Sequence, residues 1–172
     1  MVRLAQTLGL MNHPERSHHE QLERIDRLIS LILAIDHHKA SPCLNYYDLI
    51  IICIQSMWNL KDWILNDTEF GASSPAELKQ EIFDSKCLLA CSDLANGTKH
   101  FRLDRPKTNF SISGNMGLHV NASEVIFQQY IYILTEDHHD PYFGMEARAF
   151  VQECRATWQK IIDKHYLSNV YD

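Results

Sequence analysis

The chain lacks any hydrophobic run near the roughly 20 residues that a bilayer span requires; its longest, Leu49 to Ile54, is far shorter. It has no Cys-x-x-Cys, and its five cysteines, Cys43, Cys53, Cys87, Cys91 and Cys154, are an odd number. That pattern argues against a disulfide framework and for free thiols in a reducing compartment. The first twenty residues carry one early Arg and a short apolar patch cut by Gly9, Asn12 and Pro14. They lack the three-part form of a secretion signal, so a cytoplasmic protein is expected and the four Asn-x-Ser/Thr sites carry no weight. Positive charge is also short: the net charge of -6 excludes a protein that coats nucleic acid through its global field. Repeats and low-complexity segments are absent.

With 172 residues, 45% of them hydrophobic, the chain can bury one sizeable core. Residues 1–172 therefore read as a single helical-bundle domain. Glu15 to Lys39 has helical spacing at Leu22, Ile25, Ile29 and Ile32, with Pro14 before it and Pro42 after it. Leu44 to Asp67 is rich in β-branched residues, yet it has no Gly or Pro and exceeds an ordinary strand in length, which predicts a central buried helix. Ser74 is a candidate N-cap and Pro75 a first helical residue, so a third helix should start there. Its stripe is Phe83, Cys87, Ala90 and Leu94, which places Cys87 and Cys91 in the core rather than on a metal.

Between residues 102 and 140 the pattern alternates, with turns expected at Gly114 and Gly117, and a small hairpin or meander is predicted. A last helix should run from about Met145 to Leu167. The fold class is mainly α: a four-helix antiparallel bundle with a small antiparallel β-hairpin or meander inserted before the last helix.

The end of the third helix is the best candidate for chemistry. If it continues one turn past Gly97, then Asp93, Asn96 and His100 share a face at i, i+3 and i+7. An imidazole beside polar partners can serve as general acid or base toward a ribose hydroxyl and its phosphate. Lys99, Arg102, Arg105 and Lys107, against Asp104 alone, form a local basic run for phosphate contacts. The plainer reading is a helix end: Asn96-Gly97 supplies the cap, and Lys99 and His100 favour the negative end of the helix dipole.

Glu15-x-x-His18 and Glu136-x-x-His139 match the spacing of di-iron bundles, but they lie at a helix start and in a turn, and the further inward Glu residues are missing. No metal and no cofactor are expected. Trp58 and Trp63, five apart, cannot share one narrow stripe; one should pack in the bundle, and the other against the insertion or a partner.

A bundle with the polar element "NGTKH" at the end of its third helix, followed by basic residues, resembles the HEPN superfamily. Asn96 and His100 match the polar residue and the His of that family's signature, whereas Ala95 stands where its Arg would be. The resemblance implies a protein that binds or cleaves RNA as a metal-independent endoribonuclease, working as a homodimer in a bacterial defence or toxin–antitoxin setting. His100 would be the general acid or base, Asn96 and Asp93 would join it in the catalytic group, and Lys99 and Arg102 would contact phosphate. The alternative is a noncatalytic protein–protein interaction module, such as an accessory or phage-encoded inhibitor protein. Neither reading involves a membrane.

Overall fold

The structure, a computed structural model, describes residues 17–35, 46–67, 70, 74–97, 108–120 and 125–167. Its described elements are α1 (His18–Ala34), α2 (Tyr46–Asn66), α3 (Pro75–Asp84), α4 (Lys86–Gly97), β1 (Ser111–Val120), β2 (Val125–Leu134), β3 (Met145–Glu146) and α5 (Ala147–Leu167). The protein is mainly helical, with a small three-stranded antiparallel sheet ordered β1-β2-β3. No described helix is long and apolar enough to cross a membrane.

The apolar stripes meet as their periodicity predicts. Leu22, Ile25 and Ile32 of α1 are buried with Ile50, Ile54, Met57 and Leu60 of α2. Phe150, Cys154 and Trp158 of α5 close the same core. Each large side chain taken out of water there contributes about 1.5–3 kcal/mol. Polar contacts give the helix directions. Gln21 Nε2 donates to Ser56 O at 2.8 Å while His18 meets Asp67, so α1 and α2 are antiparallel. Arg155 meets Asp26 while Arg148 reaches Ile35 O at 2.7 Å, so α1 and α5 are antiparallel as well.

The third helical stripe is two helices. Ser74 caps α3 as predicted, its hydroxyl accepting the Glu77 N–H at 3.3 Å. At Ser85 the backbone becomes extended, with φ -78° and ψ 112°. Ser85 N–H still donates to Glu81 O, and its own carbonyl accepts from Leu89 N–H, so it ends one helix and begins the next. Serine suits this place because its side chain competes with helical backbone bonding. The four-residue step from Phe83 to Cys87 hides the break in the sequence.

The hairpin β1–β2 pairs Ser111 with Leu134 and Val120 with Val125. Gly114 and Gly117 lie inside β1 rather than at turns. Alternation holds on β2: Ile131 and Ile133 are buried, while Tyr130 and Tyr132 stack with ring centroids 6.2 Å apart. Met145 and Glu146, expected to open the last helix, instead form β3 on Ile133 and Tyr132. Gly144 makes this return with a left-handed φ of 71°, and its N–H donates to Ile133 O at 2.9 Å.

Candidate functional site

Helix α4 places Asp93 and Asn96 one turn apart on a shared face, as their spacing predicts. Asp93 is buried and Asn96 is half-buried. Asp93 Oδ2 accepts the Thr108 N–H and, at 2.8 Å, the Thr108 hydroxyl. Thr108 is the first described residue after the basic run, so the chain that leaves α4 at Gly97 returns to the final turns of that helix. His100, Lys99, Arg102, Arg105 and Lys107 lie outside the described residues. The structure thus joins Asp93 to Thr108, a partner that no helical spacing could indicate.

Beside Thr108 is a shallow cleft of about 330 Å³ lined by Asp84, Lys86, Asn109, Thr135, Asp137 and Asp140. Asp140 organises its floor: Oδ1 accepts the Tyr142 N–H at 3.0 Å, and Oδ2 pairs with Lys86 Nζ. Burial works to raise the Asp140 pKa, but the Lys86 bond, the Tyr142 N–H and the Lys86 charge together bring it below the ordinary aspartate value. Three carboxylates against one lysine make this cleft repel phosphate. Glu136 accepts from Asn109 Nδ2 at 2.9 Å at the exposed end of the hairpin, and His139 lies in the turn after it.

Both tryptophans of α2 are half-buried within the helical body. Trp58 meets Phe83 of α3 edge to face, with centroids 5.9 Å apart, and Lys61 Nζ stands 5.1 Å from its ring. Lys61 pairs with its neighbour Asp62, a local contact rather than a reach toward the Asp93 face. Trp63 faces α1, lining a groove with Glu20, Gln21, Arg24 and Arg27.

The pair that sequence reasoning missed is His18 and Asp67. Asp67 Oδ2 accepts the His18 N–H at 2.8 Å and meets His18 Nδ1 at 2.7 Å, with both side chains almost fully buried. An acceptor there assigns the proton to Nδ1. His18 Nε2 has no hydrogen-bond partner among the described residues. The ring stands 5.0 Å from Phe70 and borders a pocket of about 320 Å³ between α1 and α5, whose other walls include Asp26, Arg155, Gln159 and Tyr166. The two residues are 49 positions apart, so nothing local signals the pair. Glu15, the other half of the first Glu-x-x-His, lies outside the described residues. Among the described residues, no three His, Cys, Asp or Glu side chains gather as a metal ion would need.

Comparison of the chain with protein-family models, with curated proteins and with solved structures finds no match.

Proposed function

We propose that the protein is an RNA-binding helical protein of HEPN-like organisation, in which α3 and α4 together act as the third member of a four-helix antiparallel bundle. The observation that carries this reading is the Asp93–Thr108 clamp. It brings both ends of the segment holding Lys99, Arg102, Arg105 and Lys107 to one end of α4. Four cations between two such anchors supply a concentrated phosphate contact on a chain that is acidic overall. Asp93 then acts as a positioning residue for this segment. Asn96 and His100 are the groups that would meet the RNA, and cleavage would require His100 as the acid or base.

Fluorescence anisotropy with a labelled single-stranded RNA tests the reading. The full chain should bind, and more weakly as salt rises; reversing Lys99, Arg102, Arg105 and Lys107 to Glu should weaken binding by at least about tenfold. Absence of binding by the unaltered chain, or equal binding by the reversed one, overturns it. RNA cleavage that disappears in His100→Ala would add catalysis, while cleavage unchanged in that variant assigns the activity elsewhere. A homodimer, presenting two such segments, should appear in sedimentation equilibrium.

A second reading, a protein-interaction module, draws on a different observation. Leu31 and Leu33 of α1 and Ile52 of α2 are exposed large apolar residues, and the half-buried Trp63 stands beside Arg24 and Arg27. A stable complex that survives the charge reversals and is lost in Leu31→Glu would favour it.

A further inference from the structure

Helices α1 and α2 turn one shared face outward. On α1, Arg24, Leu28 and Leu31 follow one another at steps of four and three and so form one stripe. On α2, Asp48, Ile52, Gln55 and Asn59 do the same at steps of four, three and four. The two stripes flank a single groove, because Trp63, four residues beyond Asn59, lines it together with Arg24 and Arg27. Arg148 bonds both the Tyr46 hydroxyl, at 3.1 Å, and Ile35 O, so the start of α2 is level with the end of α1. Near that level stand Leu31, 52% exposed, and Ile52, 39% exposed.

Two exposed apolar side chains are ordinary by themselves; the charges around them are not. Arg27 stands four residues before Leu31, and Asp48 stands four residues before Ile52, both exposed. Because α1 and α2 run in opposite directions, these equal steps point opposite ways along the face. The apolar pair therefore has a cation one turn to one side and an anion one turn to the other. Glu20 and Glu23 share the arginine end, but Glu23 lines the pocket on the α5 side, and Glu20 lies three turns from Leu31. Glu23 meets Arg27 at 3.6 Å, with the two side chains 73% and 68% exposed, a pairing too solvated to hold Arg27 in place. From this arrangement we infer that the α1–α2 face seats a second copy of the chain, turned end for end, with Leu31 and Ile52 at the centre and Arg27 of each copy beside Asp48 of the other.

Self-complementarity selects this occupant over a foreign helix. A two-fold interface uses one patch twice, so every contact in it must be matched by its mirror in the order of the chain. An apolar centre with opposite charges at equal distances on its two sides meets that condition; a patch with like charges at both ends would repel its own copy. Each favourable contact is then counted twice. The centre lies near one end of the face, so the shared area falls below the roughly 800 Å² per partner of a standard interface, and the dimer should dissociate on dilution. The inference does not rest on RNA binding, and its test contains no RNA.

The test is sedimentation equilibrium of the purified full chain from low to high micromolar concentration, with a charge exchange. The unaltered chain should pass from monomer to dimer across that range. Arg27→Glu and Asp48→Arg should each raise the dissociation constant about tenfold, since two attractions become two repulsions. Placing both substitutions in one chain should restore the dimer. So should mixing the two single variants, because each heterodimer then joins opposite charges at both contacts. Leu31→Glu, which buries two carboxylates at the centre, should raise the constant about a hundredfold. All of these positions are exposed, and an unchanged urea midpoint at low micromolar concentration checks that the fold is intact. A chain that stays monomeric at high micromolar concentration overturns the inference, as does a dimer indifferent to all the variants. Single variants that weaken the dimer while neither the double variant nor the mixture restores it overturn the end-for-end seating.

Discussion

Asp67 and Asp93 do the same thing in two places, and their difference is instructive. Each uses one carboxylate oxygen to receive both the backbone N–H and a side-chain donor of a single distant residue. Asp67 reaches back 49 residues to His18 and fastens the start of α1 to the end of α2, under aromatic cover. There its charge also meets the positive end of the α1 dipole. Asp93 reaches forward only 15 residues to Thr108, at the edge of the helical body. The first clamp joins two core helices, so it bears on global stability. The second joins α4 to Thr108, just before β1, so it bears on local stability.

The largest effect should follow Asp67→Ala, which strands a buried N–H and a buried imidazole nitrogen at once. A loss of about 3 kcal/mol is expected, read from the urea midpoint at unchanged slope. Asp93→Ala should cost less, about 2 kcal/mol, and its signature should be local. Amide exchange should speed up at Thr108, while the α1 and α2 amides keep the protection that global stability allows. If Asp93→Ala instead lowers the urea midpoint more than Asp67→Ala does, the division between a global and a local clamp fails.

Two smaller changes sharpen the contrast, because they act outside both clamps. Ser74→Ala removes the α3 cap and should cost about 1 kcal/mol, visible as a lower thermal midpoint without faster exchange at Thr108. Glu81 is bonded to Lys164 at 2.8 Å and His165 at 2.9 Å. The Lys164 bond, opposed by burial and helped by His165, lowers its pKa. A lowered carboxylate pKa contributes stability above the unfolded value, and that contribution is lost as pH falls through the folded value. Glu81→Gln should therefore cost about 0.5 kcal/mol at neutral pH, and the difference from the unaltered chain should shrink below about pH 4. A difference that grows on acidification would reverse the sign of that contribution.

The helices were legible because burial imposes a period, and α1, α2 and α5 keep that period over many turns. The Ser74-Pro75 start was equally legible, since capping is local chemistry. The break at Ser85 was not, because a stripe with unchanged spacing can continue across a helix end. The short strand β3 was also hidden: Met145 and Glu146 carry no strand signal of their own and become extended through pairing with β2. At the candidate site, spacing placed Asp93 on one face with Asn96, and the family resemblance put both in a catalytic group with His100. The hydrogen-bond partner of Asp93, Thr108, 15 positions on, is a tertiary contact that periodicity does not encode.

Taken alone, the sequence determined which residues are apolar and at what interval, and hence the helical class, the hairpin and the buried setting of Cys87 and Cys91. Tertiary structure alone decided the pairings: Asp67 with His18, Asp93 with Thr108, and Cys154 with Cys91 of another helix. The physical reason is range. Backbone preference and amphipathic period act over a few residues and are written in neighbours, whereas hydrogen bonds and thiol contacts depend on where antiparallel helices bring remote positions together.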